Sequence, residues 1–341
     1  MNKLACQLER PEEALNSSTL SLDSEGGMLP LQVARKTRIA TDVFLFELLR
    51  TDGQLLSPFS AGAHITVLTP NGLTRRYSLC NGPAETNLYR IAIKRDVHGM
   101  GGSINLIDQV QIGDVLPASV PLNYFSLDHQ ARTHLLIAGG IGITPIMSMV
   151  RELQARQMDF RVIYVTRTPE SAAFREELNT PELAGRVLIH HSHGEPSHSL
   201  DLAPLLAKHP EGGHVYCCGP RRLMQAVREY THHWPSGSVH FEDFGTSVQP
   251  QAPEDRPFAV KLLRSGVTIE VPCGVSILEA LRREKISVPS SCESGTCGTC
   301  RTALISGVAE HRDYVLDEDQ HDKEIMICIS RAISSLLEID L

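Results

Sequence analysis

The stretch CESGTCGTC, from Cys292 to Cys300, decides more about the fold than any other part of the sequence. It places three cysteines in a C-x4-C-x2-C run, and Cys328 follows after a long gap. This spacing is typical of the four thiolate ligands of a plant-type [2Fe–2S] cluster. The small residues between the cysteines let backbone amides donate hydrogen bonds to the sulfur atoms. The predicted metal ligands are therefore Cys292, Cys297, Cys300 and Cys328.

Two other interpretations of the cysteine run are a structural zinc site and four unrelated thiols. Zinc modules usually combine a C-x2-C pair with a second close pair, whereas three of these cysteines share one loop. The preceding sequence, with two alternating runs at 258–263 and 267–271 and an N-capped helical pattern at 276–285, fits a small domain. We predict an α+β domain of the β-grasp type over residues 257–341, after a polar, proline-rich linker at 249–256.

Composition limits the function classes. The chain has 341 residues, of which 42% are hydrophobic and 21% charged, as is ordinary for a globular protein. Its formal net charge of −8 argues against non-specific nucleic-acid binding and against a polybasic membrane anchor. The longest apolar stretch, residues 135–150, is too short and too rich in glycine to span a membrane. Because no secretory signal pattern is present, we expect a cytoplasmic protein with a flexible extension at residues 1–29.

A predicted strand, a glycine-rich turn and a helix start follow one another in the middle of the chain. Residues 133–140 read THLLIAGG, and Ile141-Gly142-Ile143-Thr144-Pro145 comes next. We expect Thr144 as the N-cap and Pro145 as the first helical residue. Such a turn directs free amides and the positive end of the helix dipole toward an anion, as a phosphate cradle does. Alternatively, the glycines only permit a tight turn between strand and helix.

Further strands alternate with helical stretches over residues 129–248. They are predicted at residues 160–166, 187–191 and 214–218. This alternation predicts a parallel α/β sheet that binds its ligand at the carboxyl ends of the strands. Arg167, just after one strand, is either a contact to the ribose of a dinucleotide or an exposed loop arginine. We interpret the neighbouring histidines as solvated or structural: His190, His191, His193 and His198.

Residues 30–128 are rich in strand patterns, and we predict that they form a closed antiparallel barrel. One strand carries Arg75-Arg76-Tyr77-Ser78, and Arg95 and then Gly101-Gly102-Ser103 precede a short helical stretch. An arginine beside the free amides of a helix start suits a phosphate group. Tyr77 offers a ring beside a planar ligand, and Ser78 offers a hydroxyl for a ring nitrogen. These groups indicate a flavin site, and the alternative is an ordinary strand followed by a loop.

Three sets of motifs occur in order along the chain. They are RRYSL with KRD and GGS, then GGIGITP with CCGP, and then the cysteine run. In this combination the sequence resembles the phthalate dioxygenase reductase family of oxygenase-coupled reductases, over nearly the whole chain apart from residues 1–29. The resemblance implies a three-domain enzyme with FMN, NADH and a [2Fe–2S] cluster, which feeds electrons to a separate Rieske-type terminal oxygenase. The domain limits would be 30–128 for FMN, 129–248 for NAD and 257–341 for the cluster.

The resemblance also implies site residues. FMN would be held by Arg75, Arg76, Tyr77, Ser78, Lys94, Gly102 and Ser103. The dinucleotide would contact Gly140, Gly142, Thr144 and Cys218. To these we add Gly219 of the same Cys-Gly-Pro motif, and Arg167, which its position after a strand alone indicates. Phe241 would cover the flavin ring until the nicotinamide displaces it, and Phe244 is the alternative for this role. We expect Ser78, Cys218 and Phe241 to be the catalytic residues.

Two other functions stay open from the sequence. The same reductase chemistry can serve an oxidative O-demethylase or another monooxygenase. Alternatively, the chain is a ferredoxin-type electron carrier, and its first half serves only for docking. The choice of FMN over FAD, and of NADH over NADPH, follows from the resemblance and not from individual residues. The acidic residues between Asp317 and Glu324 are either a docking surface for a basic partner or a solvated face.

Overall fold

The computed structural model describes residues 27–97, 99–245 and 255–341. The chain forms two compact units, one of which is Met28–Phe244, and the other contains Gly245–Leu341. Most of the predicted extension at 1–29 and of the predicted linker at 249–256 lies outside the described residues. Among the described residues, no helix is both long and apolar enough to cross a membrane. The three domain limits predicted from the sequence stay predictions.

The first unit begins with a six-stranded antiparallel sheet in the order β4-β3-β6-β1-β2-β5. Its strands are β1 (Leu29–Ala40), β2 (Val43–Arg50), β3 (His64–Leu68), β4 (Thr74–Ser78), β5 (Tyr89–Lys94) and β6 (Val115–Ala118). Every second residue of β3 points into an apolar core that includes Ile65 and Val67. The edge strands β4 and β5 meet through one bridge, between Leu79 and Ile91. The predicted barrel is thus a half-barrel with a seam joined at one place, because β4 is only five residues long. Helix α1 (Gly102–Gln109) follows β5.

The second sheet of this unit is parallel and has the order β11-β10-β7-β8-β9. Its strands are β7 (Thr133–Gly139), β8 (Asp159–Thr166), β9 (Val187–His191), β10 (Gly213–Cys218) and β11 (Val239–Glu242). The connecting helices are α2 (Ile143–Ala155), α3 (Arg175–Leu178), α4 (Ala203–Leu206) and α5 (Arg221–Tyr230). The strand order reverses between β7 and β10, and a crevice opens at the carboxyl ends of strands at such a point. The glycine turns that follow β7 and β10 both lie there.

Helix α2 joins the half-barrel to the parallel sheet. Its apolar residues share a core with Val43 and Phe125 of the half-barrel region. Two hydrogen bonds fix the contact: the Ser148 hydroxyl donates to the carbonyl oxygen of Asn81 at 2.9 Å, and the amide of Ala61 donates to the Glu152 carboxylate at 3.1 Å. Asn81 lies three residues after the end of β4. The contact at α2 therefore links the strand predicted to bind the flavin to the helix predicted to bind the dinucleotide.

The second unit carries a sheet in the order β13-β12-β18-β14-β16 with one helix, α6 (Ile277–Arg283). Its strands are β12 (Phe258–Leu262), β13 (Thr268–Val271), β14 (Arg301–Ser306), β16 (Glu324–Met326) and β18 (Leu336–Ile339), with β15 (Ala309–Glu310) and β17 (Arg331–Ala332) as a separate pair. Ser276 is the N-cap of α6 as predicted, and its hydroxyl accepts a hydrogen bond from the amide of Glu279. Asp255, at the end of the predicted linker, is bound by Arg312 at 2.6 Å. Two arginines hold this carboxylate, because Nε of Arg331 also lies 3.5 Å from the same oxygen, Oδ1.

A stack of aromatic rings crosses the amino-terminal half of the parallel sheet. Tyr216 on β10 lies 4.4 Å from the ring of His240 on β11, and His214 is hydrogen-bonded to His240 at 3.0 Å. Asp128 and His134 complete the group of polar side chains around it. Burial, together with the neighbouring His214, lowers the pKa of His240 to about 4.

This pKa shift predicts a loss of stability in acid. The folded pKa of His240 lies below its ordinary value of 6.5, so the contribution to stability is complete above pH 6.5 and is lost as the pH falls toward 4. A difference of this size corresponds to about 3 kcal/mol. Urea unfolding followed by Trp234, the one tryptophan in the chain, should show this loss. His240→Gln should reduce the pH dependence, whereas the exposed His232→Gln should leave it unchanged. Equal pH dependence in all three proteins would contradict the assignment.

Candidate active site

The predicted flavin-binding residues meet at the start of α1. A Cβ atom on Gly102 would lie 2.9 Å from Nε and 3.0 Å from Cγ of Arg75, so a glycine is needed for the arginine to cross the helix end. No side chain from the described part of the chain caps α1, and its first amides are therefore available to a ligand. A guanidinium beside uncapped helix amides is a site for a phosphate group.

The arginine at this cradle is Arg75 and not Arg95. Arg95 forms an ion pair with Asp108 at 2.6 Å on the side of α1. The Ser103 hydroxyl accepts a hydrogen bond from the amide of Asp96, and thereby fixes the loop before the helix. Lys94 is the exposed last residue of β5. Arg76 is also exposed, on the face of β4 opposite to Arg75.

Tyr77 and Ser78 lie at the end of β4 and are much less exposed. Tyr77 packs against the core of the half-barrel, and burial raises the pKa of its hydroxyl to about 12. The Ser78 hydroxyl is buried and has no hydrogen-bond partner within the part of the chain that the structure describes. An unpaired buried hydroxyl costs free energy, and it fits a site that a polar group of a ligand completes.

The predicted dinucleotide crevice is built by two loops in backbone contact. A Cβ atom on Gly142, in the turn after β7, would lie 2.2 Å from the carbonyl oxygen of Cys218 and 2.9 Å from the amide of Gly219. The turn residue Gly140 has φ +55° and open space around it. Only a glycine at position 142 allows the two loops to approach so closely. The loops therefore form the crevice that the strand order predicts.

The start of α2 differs from the prediction. The helix begins at Ile143 with Gly142 as its N-cap, so Thr144 and Pro145 lie inside the first turn. The buried Thr144 hydroxyl donates to the carbonyl oxygen of Ile141 at 3.0 Å. The turn before the helix is a 3-10 turn over Gly140–Gly142, and the helix begins at Ile143, two residues earlier than a Thr144 cap would start it. Among the described residues no side chain caps α2, and the amide of Ile143 donates within the turn, to the carbonyl oxygens of Gly140 and Ile141.

The four predicted cluster ligands form two pairs. The amide of Cys292 donates to the sulfur of Cys297 at 3.4 Å, and Cys300 and Cys328 are close enough for each thiol to shift the pKa of the other. The thiol of Cys297, together with the amides of Ser294 and Thr296 at 3.5 and 3.4 Å, donates to Cys292 and lowers the pKa of this thiol. Two pairs of thiols fit two irons with two protein ligands each.

Comparison with known proteins agrees with this arrangement. A family model for the 2Fe-2S iron-sulfur cluster binding domain matches residues 260–332, and one for the oxidoreductase NAD-binding domain matches residues 136–229. Phthalate dioxygenase reductase of Burkholderia cepacia is 50% identical over 323 residues, which cover 94% of this chain and 100% of that protein. The phthalate 4,5-dioxygenase oxygenase reductase subunit of Pseudomonas putida is 51% identical, over 95% of this chain and 100% of the relative. The chain belongs to the phthalate dioxygenase reductase family.

A solved structure of a phthalate dioxygenase reductase, described as modular for electron transfer from pyridine nucleotides to [2Fe-2S], matches with 51% identity and a TM-score of 0.68. It covers 92% of this chain and 98% of the solved chain. Membership of the phthalate dioxygenase reductase family confirms the predicted fold class and the NADH-dependent oxidoreductase activity. It also confirms the predicted cofactors FMN, NADH and [2Fe–2S], and the role as reductase component of a multicomponent oxygenase system.

Phe241 and Phe244 are the two candidates for the residue that covers the flavin ring. Phe241 lies inside β11, opposite Cys217 in the register, and is only 6% exposed. Phe244 lies just beyond the end of β11 and is 44% exposed. Asp243, the residue before it, is held by Arg221 of α5 at 3.0 Å. A side chain that must move aside needs free space, so the geometry favours Phe244 over Phe241. The Asp243–Arg221 pair, which fixes its base, has no sequence signal because the two residues are 22 positions apart.

The remaining predicted nicotinamide residues lie at the carboxyl end of the parallel sheet. Cys218 is fully buried, and burial raises the pKa of its thiol well above the ordinary value. Arg167 is exposed just past the end of β8. The nearby His191 accepts or donates a hydrogen bond with the Thr166 hydroxyl at 2.7 Å, so this histidine is part of the strand end. The structure thus brings Gly140, Gly142, Cys218 and Gly219 together and leaves Arg167 at the outer rim.

Proposed function

We propose that this chain carries electrons from NADH, through FMN and the [2Fe–2S] cluster, to a Rieske-type terminal oxygenase that acts on an aromatic compound. The observation that carries the proposal is the joint presence, in one compact unit, of the Arg75–Gly102 cradle with the unpaired Ser78 hydroxyl and of the crevice between β7 and β10. The relatives reported above take their names from phthalate, and the aromatic substrate class follows from them.

The geometry supports one set of residues for the FMN. Arg75 and the free amides at Gly102 and Ser103 would hold the FMN phosphate, with Lys94 and Arg76 at the rim. Tyr77 would lie along the flavin ring, and the Ser78 hydroxyl would donate to a ring nitrogen. When bound, FMN accepts two electrons together as hydride and releases them singly, which is the conversion that NADH and a one-electron cluster require.

The other residues would orient the NADH and exclude water from the site. The first amides of α2 would hold the pyrophosphate of NADH, with Gly140, Gly142, Thr144 and Gly219 along the groove and Arg167 near the ribose. Cys218 would stay protonated, as a small uncharged group beside the nicotinamide. Phe244, in place of Phe241, would shield the flavin ring until the nicotinamide arrives. No residue needs to act as a strong acid or base for hydride transfer, because orientation provides most of the rate.

The unit that would hold the cluster would pass the electrons on to the oxygenase. Amide donors on Cys292 stabilise the more negative reduced state of an iron–sulfur centre, and so raise its potential. Exposed carboxylates at Asp317, Glu318, Asp319 and Asp322 are our proposed contact for a basic surface of the oxygenase.

Anaerobic titration with NADH tests the proposed electron path. The purified protein should yield FMN on mass analysis, with two irons and two sulfides per chain. NADH should bleach both the flavin and the iron–sulfur absorption. A protein that holds the cluster but no flavin would contradict the path and would favour the ferredoxin-type carrier. Reconstitution with purified Rieske-type oxygenases and O-demethylases would then separate the two partner classes.

The flavin cradle gives a prediction of its own. Arg75→Ala should weaken FMN binding by about 10–100-fold, because a charge-assisted hydrogen bond contributes about 1.5–3 kcal/mol. Arg95→Ala is the matched control, since it removes an arginine near the same helix that is already paired with Asp108. Its effect should be less than about threefold, as for an exposed ion pair. Fluorescence titration of flavin-free protein measures both. A larger loss in Arg95→Ala than in Arg75→Ala would show that the cradle has been assigned to the wrong arginine.

A further inference from the structure

A buried histidine lies directly beside β4, the strand predicted to bind the flavin, and no sequence motif selects this residue. His64 on β3 is opposite Ser78 on β4 in the antiparallel register. The backbone of His64 exchanges both of its hydrogen bonds with Leu122, at 2.8 and 2.9 Å. The pair with Ser78 is therefore the non-hydrogen-bonded kind, in which opposite side chains on the same face come closest.

The surroundings of the pair differ from those of the rest of β4. Thr74 and Arg76 share its face and are exposed, whereas Ser78 and His64 are buried, at 4% and 7% exposure. The His64 ring lies 5.9 Å from the ring of Tyr124, which is 41% exposed. His64 thus lies opposite the buried Ser78 on one side and near the exposed ring of Tyr124 on the other.

The proposed electron path leaves one proton unaccounted for. Oxidation of NADH to NAD+ releases a hydride, which is two electrons and one proton. An iron–sulfur cluster passes on the two electrons one at a time and carries no proton. For each NADH, one proton must therefore leave for solvent from the place where the hydride arrives. Imidazole is the side chain that takes up and releases a proton near neutral pH.

We propose that Ser78 and His64 form the exit path for this proton. The Ser78 hydroxyl, which the described part of the chain leaves unpaired, would lie between the flavin nitrogen and the imidazole of the register partner His64 once the flavin is bound, and would pass a proton to the imidazole as it receives one from the ring. The imidazole then releases it to water beside Tyr124. His64 acts through Ser78 and is a positioning and relay residue. This inference rests on the proposed electron path.

The test separates the two halves of the reaction by stopped flow. In His64→Gln holoenzyme, hydride transfer from NADH should change by less than about threefold, whereas reoxidation of the reduced protein by ferricyanide should slow by about 10–100-fold, the size expected for loss of an acid–base group. Release of protons, followed with an indicator dye in weak buffer, should be delayed to the same extent. Added imidazole should restore both. FMN affinity, measured by fluorescence, should stay as in the natural protein.

Two further variants keep the result interpretable. His134→Gln removes a histidine of similar burial on β7 and should leave the reoxidation rate unchanged. His64→Asn provides a second replacement in case glutamine disturbs the fold. Equal slowing of both half-reactions, unchanged reoxidation, or loss of FMN in both His64 variants would overturn the relay. If NADH fails to bleach the cluster in the natural protein, the proposed electron path fails instead.

Discussion

Replacing Cys328 with alanine should remove the iron–sulfur cluster and stop electron delivery to one-electron acceptors. Cys328 is buried and pairs with Cys300, so its loss leaves one iron with a single protein thiolate. Mutation of a residue that only supports a metal ligand lowers metal affinity or activity by about 10–100-fold. Loss of a ligand itself should therefore lower NADH–cytochrome c reduction by more than about 100-fold. NADH–ferricyanide reduction should persist, because the flavin and dinucleotide residues belong to the other compact unit.

The control for this change is Cys273→Ser, which alters a cysteine of the same unit that is not among the predicted ligands. Iron and sulfide analysis, visible absorption and both reductase assays are the measurements. Cys273→Ser should retain the cluster and both activities. A Cys328→Ala protein with full iron content would exclude this residue as a ligand, and a parallel loss of ferricyanide reduction would show that the two units do not function separately.

Replacing Gly142 with alanine should disable the dinucleotide crevice. The added Cβ would lie 2.2 Å from a backbone oxygen of Cys218, so one of the two loops must move. A displacement of about 1 Å at a reacting geometry can cost about 100-fold, and we expect a loss of this order in kcat/KM for NADH. Reduction of the cluster by dithionite should be unaffected, because it bypasses the crevice.

Gly185→Ala is the matched control for the change at Gly142. Gly185 has φ +78° and no atom within 4 Å of an added Cβ, so alanine there costs backbone strain of about 1–2 kcal/mol without displacing a loop. It should lower the unfolding temperature while leaving kcat/KM for NADH nearly unchanged. Steady-state kinetics and thermal unfolding of both variants separate strain from clash. Equal kinetic effects in the two variants would refute the role assigned to the Gly142–Cys218 contact.

Local patterns predicted the strands that are continuous and apolar. The predicted strand at 187–191 coincides with β9, and Ser276 caps α6 because its pattern needs only neighbouring residues. Strand β1 escaped prediction, since it carries several charged residues and register shifts near Val33 and Arg38 that break its alternation. Such a strand is defined by its partners and not by its own sequence.

The site shows the same division between local and distant information. The cysteine run and the glycine turns are short motifs, and the sequence located them. The choice of Arg75 over Arg95 depended on Asp108, which lies 13 residues beyond Arg95. The neighbourhood of His64 and Ser78 depended on strand register, and Asp255 depended on arginines 57 and 76 residues away. Pairings of this kind appear only when the chain is folded.

The contact between α2 and the half-barrel sets the spacing of the two predicted sites in the first unit. Because Ser148 and Glu152 bond helix α2 to loops of the half-barrel, the distance between the predicted nicotinamide and flavin positions depends on interior residues. Substitutions on the exposed faces of the first unit should therefore leave that distance unchanged.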